Sequence, residues 1–170
     1  MTMATKKSMW VLLSFFIIAA FLLASVTQVT AETWKFKASN HATKVEMRPI
    51  PDAEGHWVGF QEREGVTIYE TGELSWHKVI VIFDGVKGVG VYSQYIIVTF
   101  QDGSTMTNYC QGKSFPGGYK WTAEIINGTG RFKGVKGTVT GEGKFLPPEK
   151  GEILGKAVGE GTTTFTLPAK

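Results

Sequence analysis

From residue 33 onward, apolar and polar side chains alternate with a period of two, in short runs separated by Gly, Pro and Asp. Trp34, Phe36 and Ala38 alternate with Thr33, Lys35 and Lys37, so residues 33–38 read as a half-buried strand. Val45 and Met47 mark a second short strand. Pro49 and Pro51, followed by Asp52, Glu54 and Gly55, mark a loop. Residues 56–63 and 66–70 come next, separated at Gly65, and Thr71-Gly72 turns the chain into 73–83. There Leu74, Trp76, Ile80 and Ile82 take one face and Val79, Val81 and Phe83 the other. A strand apolar on both faces is central or covered by a second layer.

The longest run is 89–101, with Tyr95, Ile97 and Thr99 on one side and Tyr92, Ile96, Val98 and Phe100 on the other. Asp102-Gly103 is a hairpin signal, because glycine supplies the positive φ such a turn needs, and it returns the chain through 104–112. After the loop Phe115-Pro116-Gly117-Gly118, residues 119–126 are expected to pair across Asn127-Gly128-Thr129-Gly130 with 131–133 and 135–145. Pro147-Pro148 breaks the sheet, and a last strand, 157–167, ends at Pro168. No amphipathic helix of three turns fits anywhere after residue 31. The fold class is therefore all-β. About eight strands joined by hairpins would leave two sheet edges open to other chains, and closure into a small antiparallel barrel removes them. A two-sheet sandwich is the competing arrangement.

The first 31 residues follow a different pattern. Lys6 and Lys7 precede an apolar run from Met9 to Ala24 interrupted only by Ser14, and Val29-Thr30-Ala31 is a small-residue cleavage pattern before Glu32. This order is that of a secretory signal peptide. The run is shorter than the ~20 residues that span a bilayer comfortably. The expectation is a cleaved leader over 1–31, a single domain over 32–170, a secreted or periplasmic location, and no stable membrane span after cleavage. Without the leader the net charge is +1, from 16 basic and 15 acidic residues. The basic residues are scattered, so no nucleic-acid footprint is present. The single cysteine, Cys110, has no partner for an internal disulfide.

Two hexapeptides, Phe83-Asp84-Gly85-Val86-Lys87-Gly88 and Phe132-Lys133-Gly134-Val135-Lys136-Gly137, share F-x-G-V-K-G. Neither opens a helix, so phosphate cradling is disfavoured, and a bend or bulge at a barrel corner is the expectation. The stretch from Asn127 to Gly137, NGTGRFKGVKG, resembles the G-T-G-x-F-x-G-x-x-G hairpin of allene oxide cyclase-like and dirigent-like barrels, with the likeness running over 127–145. That resemblance implies an eight-stranded antiparallel barrel with an apolar cavity, in a group whose members hold a reactive apolar intermediate in one conformation. No functional carboxylate of those families carries over to a position here.

Candidate chemistry is sparse. His41, His56 and His77 have no metal-binding spacing, and no cofactor motif is present. His77 lies on the apolar strand 73–83. Glu62 and Glu64, at i and i+2, share one strand face and could act as acids if that face bordered a cavity; otherwise they form a solvated rim with Arg63 opposite. Trp57, Trp76, Tyr92, Tyr95, Tyr109 and Trp121 sit on expected strands and are of the kind that lines pockets for small organic ligands, although the same rings would fill a closed barrel. The functional expectation is a barrel that binds a small apolar molecule. A cyclase or isomerase steering such a molecule and a filled interaction barrel are the alternatives, and self-association stays open.

Overall fold

In a computed structural model, which describes residues 30–168, the alternation becomes eight strands: β1 (Glu32–Pro49), β2 (His56–Tyr69), β3 (Leu74–Val86), β4 (Val89–Phe100), β5 (Thr105–Phe115), β6 (Gly118–Gly128), β7 (Lys136–Phe145) and β8 (Ala157–Thr166). Each pairs antiparallel with its sequence neighbour, and β8 pairs with β1 from Glu32↔Phe165 to Asn40↔Ala157, closing the barrel. The leader expected over 1–31 lies outside the described residues except for Thr30 and Ala31. Among the described residues no helix is long and apolar enough to cross a membrane.

The structure departs from the sequence pattern in four places. The segments 33–38 and 45–47 are one strand, β1, because a bulge at Thr43 absorbs one residue. Beyond it the more buried positions shift from Trp34, Phe36, Ala38, Asn40 and Ala42 to Val45 and Met47. Gly65 does not break β2: it faces Asn40 and His77 in the ladder, and a Cβ there would lie 2.0 Å from the Ser39 carbonyl oxygen. Residues 131–133 do not form a strand; Gly130–Phe132 is a 3-10 turn that drives Phe132 into the core. The two F-x-G-V-K-G copies also differ from the expected bend. The first is the end of β3 plus a two-residue turn at Lys87 (φ 51°) and Gly88 (φ 82°), and the second leads from the 3-10 turn into β7. The ladder's irregularities lie instead at Thr43 and at Ile126 in β6.

The two ends of the barrel are unlike. The β2–β3, β4–β5 and β6–β7 connections lie at one end, where Trp34, Tyr69, Phe100, Phe132 and Phe165 pack as a floor. Trp34 and Phe165 meet edge to face at 5.0 Å between centroids, and Phe100 and Phe132 at 4.6 Å. Arg131 covers this floor, its guanidinium 5.0 Å from the Phe100 ring and 4.7 Å from the Phe132 ring, with Glu73 and Asp102 as ionic partners. The opposite end carries the β1–β2, β3–β4, β5–β6 and β7–β8 connections and leads into a hollow.

Glycines on the inner faces of strands make room for rings from the neighbouring strand. Tyr92 lies over Gly112, Trp121 over Gly141, Tyr119 over Gly143 and Phe36 over Gly161; a Cβ on any of these glycines would come within 2.1 to 2.7 Å of the ring. These glycines act by their lack of a side chain, and the rings they seat form the lumen wall.

Candidate functional site

Above the aromatic floor the lumen holds a cavity of about 320 Å³, at the small end of the roughly 300–1,000 Å³ typical of ligand pockets. Strand parity builds two unlike walls. On the β4 and β6 side, Tyr92, Ile96, Tyr119 and Trp121 face inward. On the β1–β3 side, Asn40, Gln61, Arg63, Thr67 and His77 face inward together with Val79 and Val81. Phe36 borders the floor, 6.1 Å from Trp121 and 5.8 Å from Tyr69 between ring centroids. Burial pushes the Tyr69 hydroxyl up to about 12 and raises those of Tyr92 and Tyr119 as well, so all three stay protonated.

The polar wall is a directed chain of hydrogen bonds. Arg63 Nε donates to Asn40 Oδ1 at 2.6 Å. Asn40 Nδ2 faces His77 Nε2 at 3.4 Å, and His77 Nδ1 faces Thr67 Oγ1 at 2.9 Å. An Asn amide nitrogen can only donate, so Nε2 accepts and the ring carries its proton on Nδ1. Burial holds the His77 imidazole down to about 4, and the Asn40 donor leaves no acceptor for a second proton. Arg63 also donates through its terminal nitrogens to Gln61 Oε1 at 3.1 Å and to the Gly155 carbonyl at 2.9 Å, which ties the β7–β8 connection to the lumen. Burial pushes the guanidinium below its ordinary value. Asn108 also lines the cavity, and its buried Oδ1 has no hydrogen-bond partner among the described residues.

Three of the nine sequence candidates, His77, Tyr92 and Trp121, meet in this lumen. Five lie on the outer surface by strand parity. Glu62 and Glu64 point outward and share Lys78 at 3.2 and 3.7 Å. Trp76 is half exposed on the outside of β3, and Tyr95 and Tyr109 pack on each other at 5.2 Å on the outside of β4 and β5. Trp57 sits near the open end of β2, opposite Pro49 and Gly85, and does not line the cavity. The sequence reading missed Arg63, Asn40, Gln61, Thr67, Phe36 and Tyr119. Their signal was present in β2, where Gln61, Arg63 and Thr67 share the parity opposite to Glu62 and Glu64. Cys110 is fully buried, and burial pushes its thiol up to about 12, so it is inert in the folded state. Among the described residues no cluster of His, Cys, Asp or Glu could hold a metal ion.

Eight antiparallel strands, each paired with its sequence neighbour and closed by β1 and β8, form a barrel with the fold of dirigent proteins. Among solved structures, the pterocarpan synthase dirigent protein PsPTS1 superposes with a TM-score of 0.54 at 15% identity, covering 84% of this chain and 99% of that one. The pterocarpan synthase dirigent protein GePTS1 does so with a TM-score of 0.52 at 14% identity, covering 86% and 96%. At these identities the likeness is one of fold. No family model matches the sequence, and no curated protein matches it.

Proposed function

We propose that this protein is an exported barrel that binds one small, largely apolar molecule in its lumen. The observation carrying this reading is the 320 Å³ cavity, walled on one side by Tyr92, Tyr119 and Trp121 and blocked below by the aromatic floor. A pocket with one broad apolar wall and a few convergent polar groups suits a small organic ligand. Each methylene it buries would contribute about 0.8 kcal/mol. The leader pattern over 1–31 supports export.

Binding without reaction is favoured over steered cyclisation by the lining. The one carboxylate along the cavity, Glu160, is exposed and belongs to the outward parity of β8, and Glu62 and Glu64 face away. An acid-assisted reaction would lack its acid among the described residues. A second reading, in which the barrel folds a reactive guest into one conformation, is favoured by the fold it shares with the two pterocarpan synthases.

The test is titration with the neutral, apolar fluorophore N-phenyl-1-naphthylamine. The expectation is saturable binding of one probe per barrel. Val79→Phe, which fills the lumen, should weaken it by roughly tenfold or more while the far-ultraviolet circular dichroism stays unchanged. Absence of saturable binding to the unaltered protein would remove the proposal.

A further inference from the structure

Arg63 is 5% exposed as a residue, and its guanidinium has no carboxylate partner among the described residues. Its three hydrogen bonds go to neutral oxygens: an Asn amide, a Gln amide and a backbone carbonyl. Arginine has five N–H donors. Among the described residues three are used, one on each nitrogen, which leaves one unused donor on each of the two terminal nitrogens. The titratable groups packed nearest on the lumen side, His77 from β3 and Tyr119 from β6, are both neutral. A buried cation is ordinarily paired, and this one borders a cavity.

We propose that the lumen selects an organic anion, a molecule with an apolar body and a single carboxylate head, and that Arg63 holds the carboxylate. This rests on the reading of the lumen as a ligand pocket. Each spare N–H can donate to a carboxylate oxygen, and a hydrogen bond between two charged groups is stronger than one to a neutral oxygen. Among the described residues no lysine and no second arginine lines the cavity, and its one carboxylate, Glu160, belongs to the outward parity of β8, so Arg63 alone faces an incoming head and a doubly charged phosphate would be left uncompensated. The rings of Tyr92 and Trp121 stand ready for the apolar body. The chain from Arg63 through Asn40 and His77 to Thr67 fixes the guanidinium from behind, so little freedom is lost when the anion arrives.

Displacement of bound N-phenyl-1-naphthylamine by decanoate and by 1-decanol, at a pH where the acid is ionised, tests this. The two competitors share a chain length and differ in head charge. Decanoate should displace the probe at a concentration at least about tenfold lower than decanol, the difference a charge-assisted hydrogen-bond pair provides. In Arg63→Met that ratio should fall to about one or invert, and Arg63→Lys should keep part of it. A purely structural role of Arg63 would weaken both competitors alike and leave their ratio unchanged. Equal displacement by decanoate and decanol from the unaltered barrel would overturn the anion inference while leaving the pocket intact; failure of the probe itself to bind would end both.

Discussion

Gly112 offers a sharp test of how the lumen is built. It lies in β5 with ordinary extended backbone, opposite Tyr92 in the ladder. At an unstrained strand position, glycine to alanine ordinarily stabilises by about 0.5–1 kcal/mol, because the unfolded chain loses freedom. Here an added Cβ would lie 2.1 Å from Tyr92 Cζ and 2.3 Å from its hydroxyl oxygen. Reaching ordinary contact near 3.5 Å requires the ring to move by more than about 1 Å. That movement strains the Tyr92 hydrogen bond to the Lys120 carbonyl, at 3.3 Å. Overpacking of this kind costs about 1–3 kcal/mol, so Gly112→Ala should destabilise by a net of about 1–2 kcal/mol, lowering Tm by roughly 3–8 °C in a domain of this size. Urea denaturation of the unaltered protein, Gly112→Ala, Tyr92→Leu and the double variant isolates the contact, provided the m-values agree. With the ring removed, the alanine should become neutral or stabilising, giving a coupling of about 1.5–3 kcal/mol. A neutral or stabilising alanine in the unaltered background, or the same cost in both backgrounds, would refute the reasoning.

Further outcomes concern the histidines and the leader. In an NMR titration, the His77 ring should stay neutral until the pH approaches about 4. Its folded pKa lies below the unfolded 6.5, so its contribution is complete above 6.5 and is lost as the pH falls, by up to about 3 kcal/mol for this well-buried ring. His56 should move the other way: hydrogen bonds to Asp52 and Asp84, at 2.5 and 2.8 Å, raise its pKa above 6.5. The stability it adds is present below 6.5 and disappears as the pH rises through the raised value. Coincident titration of the two rings near 6.5 would contradict both placements. N-terminal sequencing of protein recovered outside the cytoplasm should begin at Glu32; an intact Met1 there would contradict cleavage.

The strands were legible because burial on one face imposes period-two patterning that the order of residues reveals. The β4 faces fell as read, with Tyr92, Ile96, Val98 and Phe100 on the inner side. The bulge at Thr43 was not legible, since an inserted residue merely looks like the end of one run and the start of another. Gly65 read as a break because close backbone approach and chain reversal share a residue type. Phe132 read as strand because a 3-10 turn of three residues leaves no periodic trace. Trp76, Tyr95 and Tyr109 could not be sorted from Tyr92 and Trp121 by composition. All are aromatic on strands, and only the parity of each strand relative to closure decides which ones enter the lumen. Arg63 drew least notice because a charged residue between two glutamates looks solvated until the two faces are assigned.

The closing seam between β1 and β8 has a mechanical consequence. Glu32 opposes Phe165, so the first strand begins where the last one finishes, at the floor end of the barrel. A pulling force applied through Glu32 and Thr166 would load the ladder one rung at a time and peel the two strands apart like a zipper, instead of straining every rung together as in shear. The barrel should therefore yield at low tension along this line, opening first beside Trp34 and Phe165, and the aromatic floor would be the first packing to rupture.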